Sequence, residues 1–235
     1  MRVAVVTPYW KEPIAVLERC WRSVKSQTHC DIVHYMVADG HPVQTFEKGA
    51  DVVHISLPNC NDSGDTPRIV GLSVASVQGA DAICLLDADC WFEPEHVATM
   101  VEVMQQSQAK VVTCPRMLWR MDGTQMGVDA ESNGIHWNDT NCFLLSRETF
   151  PLCKEWGFRP REYGYIGDRY FWKAVQDSGV KIARSMKATV NYPTTLAFHY
   201  RQAGETPPDD SKVVFLKNGV PQIKKYADMK EKHES

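Results

Sequence analysis

The sequence predicts an α/β protein built on a mostly parallel sheet, and three observations carry that prediction. Short apolar runs with strand character alternate with stretches of helical periodicity through the first half of the chain. The connections between them are short, as a doubly wound sheet requires. Three of the runs end abruptly in polar or turn-forming residues: Thr7-Pro8-Tyr9, Asp39-Gly40 and Asp87-Ala88-Asp89. Ligands of open α/β sheets bind beyond the carboxyl ends of the strands, so these ends are where function is expected.

The elements follow in order. Residues 2–7 read as a strand, and residues 14–27 as a helix, because Val16, Leu17, Cys20 and Val24 recur on one face. Residues 32–38 are a second strand, closed by the turn signal Asp39-Gly40-His41-Pro42, and residues 52–57 a third. Residues 67–78 form a helix with Pro67 in its first turn, followed by a fourth strand at 82–86. A helix over 94–107 and a strand over 110–114 complete the pattern. Further on, residues 141–146 read as a strand, 147–156 as a short helix and 158–166 as an aromatic loop. A helix then begins at Asp168 and runs to about 177. The stretch 221–235, with Lys224, Lys225, Lys230 and Lys232, reads as a solvated helix or frayed tail.

The 235 residues suffice for one domain, or one domain with a small addition. A formal net charge of -3 excludes broad attraction to nucleic acid or anionic membrane. Met1-Arg2 leads into an apolar run too short for a signal peptide, and no later run is long enough to span a bilayer, so a soluble, cytoplasmic protein is expected. The eight cysteines contain no CxxC pair, which argues against a zinc site or disulfide framework and for reduced, mostly buried thiols.

Asp87 and Asp89 are the most informative residues. An apolar run ends in two carboxylates one residue apart, which strand periodicity puts on one side of the backbone. Two hard oxygen ligands so placed suit Mg²⁺ or Mn²⁺ bridged to a phosphate. An Asp-rich turn after a strand is the competing reading. Asp39, at another strand end, carries the same pair of readings, ligand contact or turn.

These residues carry a resemblance. The chain is similar to the GT-A fold glycosyltransferases, nearest to their family 2. It shares a first strand leading to a proline, a helix ending near Gln27-Thr28, a strand ending in an acidic residue and glycine, and Arg68 in Thr66-Pro67-Arg68 ahead of the DxD strand. The similarity spans about residues 3–201 and is most specific in the first ninety or so. It implies that Thr7, Pro8 and Tyr9 line a nucleotide pocket, that Asp39 contacts the base or ribose, and that Arg68 contacts the base or diphosphate. It further implies that Asp87, with Ala88 between, contacts the ribose or metal, and that Asp89 binds the metal, Mn²⁺ or Mg²⁺. Many relatives carry two acidic residues where this chain has Ala38-Asp39.

Family 2 enzymes place an acidic residue, usually in a Glu-Asp pair, as the general base. Here the corresponding pair is Gly167-Asp168, which makes Asp168 the implied catalytic residue. Asp is also a preferred helix cap, and a cap alone would explain it. The Gly-rich aromatic lead-in favours the base, since an acceptor hydroxyl needs a carboxylate within hydrogen-bond reach. His199, in an otherwise apolar setting, reads first as a core residue. The resemblance also offers it as a third metal ligand. Trp137, a loop aromatic flanked by polar residues, suits stacking on a sugar or base, whereas the plainer reading is a core plug; Trp10 and Trp91 sit beside strand ends with the same ambiguity.

The expectation is a metal-dependent glycosyltransferase that moves one sugar, from a nucleoside diphosphate sugar with UDP-sugars favoured, to an acceptor nucleophile with inversion. The alternative is a nucleotide-sugar-binding module without catalysis. A sugar nucleotidyltransferase would open with a Gly-rich loop, which Thr7-Pro8-Tyr9-Trp10-Lys11 is not. A processive synthase would carry membrane helices and a Gln-x-x-Arg-Trp motif, both missing from this sequence. The expected organisation is one catalytic domain over 1–205, with a nucleotide-sugar half at 1–115 and an acceptor half at 116–205, followed by an extension at 206–235. The acceptor stays open: a glycan, lipid, protein, metabolite or modified nucleic acid base.

Overall fold

A computed structural model describes residues 1–43 and 51–230. The chain runs β1 (Val3–Tyr9), α1 (Ile14–Lys25), β2 (Ile32–Asp39), β3 (Val52–Leu57), α2 (Asp65–Val77), β4 (Ala82–Leu85), β5 (Trp91–Phe92), α3 (His96–Ser107) and β6 (Val111–Thr113). It continues with β7 (Arg116–Trp119), β8 (Gln125–Val128), β9 (Phe143–Ser146), α4 (Lys154–Phe158), α5 (Gly167–Asp177), β10 (Ile182–Arg184) and β11 (Val190–Pro193). The last elements are α6 (Ala197–Gln202), β12 (Lys212–Lys217), β13 (Val220–Lys225) and α7 (Ala227–Lys230).

Among the described residues the main sheet has seven strands in the order β10-β6-β9-β4-β1-β2-β3. β9 pairs antiparallel with both β4 and β6, and the other pairings are parallel. Both faces are covered, which is why β1 is buried along its whole length. The strands alternate between two cores: Val3, Val5, Cys84 and Leu86 enter one with Met100 and Val97, while Ala4, Val6, Ile83 and Leu85 enter the other with Leu72, Phe171 and Trp172. Helix α2 lies so close to the sheet that a Cβ at Gly71 would stand 3.0 Å from Val37 Cγ2 and closer still to Val6. That approach needs glycine. It sets the start of α2 beside the ends of β1 and β4.

A second sheet, β5-β11-β7-β8, covers one end of the molecule. Its four short strands escape sequence reading because none exceeds four residues. At its base Arg116, 1% exposed, bonds Asp129 through Nε at 2.7 Å and Asp139 through Nη1 at 2.5 Å. Its guanidinium also stacks 3.9 Å from the Tyr192 ring centroid. This buried cluster ties β7 and β11 to the loop that precedes β9.

Two stretches differ from sequence expectation. Residues 158–166 are not a plain loop, because Arg161–Ile166 winds as a 3-10 helix running straight into α5. Residues 221–225 are not a solvated helix or frayed end: β12 and β13 form an antiparallel hairpin. Its turn is Asn218-Gly219, both with left-handed backbone at φ 53° and 80°, the geometry that favours a tight two-residue hairpin. The lysines distract from this signal. Lys232 lies outside the described residues. All eight cysteines are free, and six are buried. Among the described residues no helix is long and apolar enough to cross a membrane.

Replacing Arg116 with Met should cost about 3–5 kcal/mol of stability, because Asp129 and Asp139 would stay buried without their counter-charge. Urea unfolding measures it, and a loss below about 1 kcal/mol would show that the cluster does not organise the second sheet.

Candidate active site

The register brings the expected strand ends together. β4, β1 and β2 are adjacent and parallel, so Tyr9, Asp39 and Asp87 emerge at one edge of the sheet. They open on a cavity of about 490 Å³ lined by Pro8, Tyr9, Asp39, Arg68, Asp87, Ala88 and Asp89, together with Trp10. Glu12, Asn59, Asn61, Ser63, Gly64, Tyr165 and Lys212 complete its walls.

Each side chain has a distinct setting. Asp39 is buried and accepts the Cys60 backbone N–H at 2.6 Å through Oδ1, while Gly40 turns the chain away with φ 79°. Tyr9 stacks on His54 and its hydroxyl pairs with His54 Nε2 at 2.5 Å. Arg68 Nη2 donates to Asp87 Oδ1 at 2.8 Å, and its Nη1 reaches Asp65 Oδ1 at 3.4 Å. Asn141 grips Asp87 twice: Nδ2 donates to Asp87 Oδ2 at 3.1 Å, and Oδ1 accepts the Asp87 backbone N–H at 2.5 Å. Asn141 Nδ2 also reaches Asp139 Oδ1 at 2.7 Å, which continues the chain of bonds to Arg116.

Asp89 contrasts with Asp87. Its carbonyl accepts from Arg19 Nη2 at 2.7 Å, but among the described residues its carboxylate takes no charged donor, accepting the weak Cys90 thiol at 3.4 Å and its own backbone amide. Desolvation by the cavity walls, reinforced by the charge of Asp87, pushes the Asp89 carboxyl up to about 6. A carboxylate crowded in this way and short of donors is suited to a cation. Asp87, whose oxygens already accept from Arg68 and Asn141, retains lone-pair capacity for one further contact. Among the described residues no three His, Cys, Asp or Glu side chains stand together as a metal-binding group. A cation here would therefore take its remaining ligands from phosphate oxygens and water.

Asp168 lies in a second cavity of about 170 Å³ that shares Ser63, Arg68, Asp87 and Tyr165 with the first. It is the second residue of α5, in the first turn but not at the cap, and Oδ1 accepts the Arg169 backbone N–H at 2.8 Å. Desolvation, with the nearby charge of Asp139, raises its carboxyl to about 7. A cap alone does not require that environment, whereas a group that exchanges protons near neutrality does.

Four residues singled out in the sequence stand apart from the cavities. The Thr7 hydroxyl is buried and pairs with His34 Nε2 at 2.8 Å, since strand alternation turns it away from the site. His199 pairs through Nδ1 with Thr194 Oγ1 at 2.6 Å and turns Nε2 toward Asp129 at 3.7 Å. Burial and Arg116 lower its pKa to about 4, so it is a neutral core imidazole. Trp137 packs against the core with Arg116 and Arg169 over its ring. Trp91 stacks under Arg19 instead of facing the cavity. Asn141, Asp139 and Arg159 carry much of the site and escape sequence reading. The buried polar run Asn138-Asp139-Thr140-Asn141 before an apolar strand was the available signal.

The profile of the family described as "Glycosyl transferase family 2" matches residues 4–155. The chain belongs to glycosyl transferase family 2. No curated protein shows significant sequence similarity to this family 2 member. Among solved structures it is similar to S. aureus TarS, at 14% identity and TM-score 0.66, over 86% of this chain and 38% of TarS. The shorter form, TarS 1–349 in complex with UDP-GlcNAc, gives 14% identity and TM-score 0.64, over 83% of this chain and 59% of that one. The complex of TarS 1–349 with UDP gives 14% and 0.63, over 86% and 63%. The chain thus spans less than two thirds of these structures. At such identity the likeness shows the fold, which is the GT-A fold of glycosyltransferases.

The Asp168 environment has a measurable consequence. Because its carboxyl sits at about 7 in the folded chain against 3.8 ordinarily, the folded state holds the proton more tightly than the unfolded state. The stability this contributes is present below about pH 4 and lost as pH rises through 7. Asp168→Asn should therefore gain stability over the parent chain progressively between pH 5 and 8, read from urea midpoints. A pH-independent difference would place the carboxyl at its ordinary value.

Proposed function

We propose that this family 2 member transfers one sugar from a nucleoside diphosphate sugar, UDP-sugars favoured, to an acceptor nucleophile with inversion. The observation that carries the reading is the pair of cavities meeting at Arg68 and Asp87, one holding the strand-end carboxylates and the other Asp168. The TarS complexes with UDP and UDP-GlcNAc support a uridine donor for a chain of the same fold.

In this reading Asp39 accepts hydrogen bonds from the base or ribose, and Tyr9 and Pro8 wall the nucleotide. Asp89 would hold Mn²⁺ or Mg²⁺, with Asp87 contributing directly or through water. The bound cation supplies positive charge beside the diphosphate. Arg68 adds a second positive group on the same side while its bond to Asp87 keeps that carboxylate aligned. His199 and Thr7 have no part in the set, because both are committed to partners within the core.

Asp168 removes the proton from the acceptor nucleophile. A carboxylate at about 7 is well matched to that task at neutral pH. The acceptor attacks from the Asp168 cavity while the diphosphate leaves into the larger one, so one displacement inverts the anomeric centre.

Two variants test the reading. Asp89→Ala should abolish the Mn²⁺ dependence of UDP release from a UDP-sugar while thermal unfolding stays cooperative. Asp168→Asn should bind UDP-sugar about as well as the parent and lose about 10²- to 10⁴-fold in turnover. Turnover unchanged in Asp168→Asn would reduce Asp168 to an acidic residue in the first turn of α5, and binding without turnover in the parent chain would favour a nucleotide-sugar-binding module.

A further inference from the structure

Arg159 follows α4 and reaches back toward the start of α2 with a side chain only 3% exposed. Its Nη2 donates to Asp65 Oδ2 at 2.5 Å and to the Gly164 carbonyl at 3.3 Å. Its Nε and Nη1 are buried without a partner, and so is Nε of Arg68 across Asp65. A buried guanidinium N–H left unbonded is costly, so its retention at a cavity wall points to a ligand.

The guanidinium lies flat against Gly167, where an added Cβ would collide with its Cζ and both terminal nitrogens. The backbone at Gly167 is ordinary helix, at φ -60° and ψ -36°, so the glycine is not needed for conformation. It leaves room for Arg159. The same residue opens α5, whose eleven-residue helix ends its positive pole at the cavity. Of the facing carboxylates, Asp65 is shared between Arg68 and Arg159, Asp87 is held by Arg68 and Asn141, Asp139 is paired with Arg116, and Asp168 accepts a backbone amide. Arg159, although ion-paired with Asp65, thus keeps two N–H donors that no group among the described residues accepts.

We propose that Arg159 recognises an oxyanion on the acceptor, so that the nucleophile belongs to a molecule carrying a phosphate or carboxylate group. Arginine suits this because its planar N–H array bonds oxyanions directionally. The inference rests on the reading of the Asp168 cavity as the acceptor side, and it names that acceptor's chemical class.

Inorganic phosphate is the probe. The chain saturated with UDP and Mg²⁺ is titrated calorimetrically with phosphate, and one further equivalent should bind without displacing UDP. Arg159→Gln should weaken that step about ten-fold or more while UDP affinity stays within about two-fold. Gly167→Ala should do the same by pushing the guanidinium aside, which keeps the test decisive if Arg159→Gln fails to fold. Saturation with UDP bearing an uncharged hexose should leave phosphate binding intact. Phosphate that displaces UDP, binds equally to both variants or is excluded by the UDP-hexose would overturn the assignment. Failure of UDP itself to bind would instead sink the donor reading, a separate outcome because phosphate can be titrated without UDP.

Discussion

The site depends on the burial of Arg116 between two carboxylates. Asp129 and Asp139 are almost wholly out of water, and neither could be charged there without the guanidinium between them. Burial and this charge pairing act in opposite directions on Arg116, and the carboxylates win, holding its pKa above the usual arginine range. From Asp139 the bonds pass through Asn141 to Asp87, from Asp87 to Arg68, and from Arg68 through Asp65 to Arg159. The chain of bonds joins the second sheet, the end of β4, the start of α2 and the segment after α4. Rigid placement of Asp87 follows from partners on both oxygens, a degree of control that a turn aspartate would not need.

The two acidic residues after β4 have different surroundings. Both oxygens of Asp87 accept from charged or amide donors, whereas the Asp89 carboxyl, desolvated and close to Asp87, rises to about 6. Asp168 rises further because it is desolvated beside the charge of Asp139, against which the Arg169 backbone amide it accepts is a small offset. One fold thus holds three aspartates in a donor-rich, a donor-poor and a desolvated environment. The two cavities that these residues line meet at Ser63, Arg68, Asp87 and Tyr165.

Much of this was legible in the sequence. Asp39, Asp87 and Asp89 could be found because parallel strands end at a shared edge, and apolar runs that stop in carboxylates mark that edge. Asp168 was legible through its place at a helix start and through family resemblance. The hairpin at β12 and β13 carried its own Asn218-Gly219 signal, though the lysines concealed it. His199 and Thr7 were misleading because residue type does not reveal partners: Thr194 and Asp129 hold the first, and His34 the second. Asn141 and Arg159 stand in no motif that marks them in the sequence. They matter only through what they touch.

Hydrophobic periodicity and turn residues, both local properties, therefore determined the α/β class, the order of the first strands and the carboxylates at their ends. Tertiary structure alone decided which of those carboxylates are satisfied, how far each is raised, and that Arg116, Asn141 and Arg159 converge on them. Those outcomes depend on desolvation and on hydrogen bonds between residues as far apart as Asp65 and Arg159. Neither is a function of neighbouring sequence.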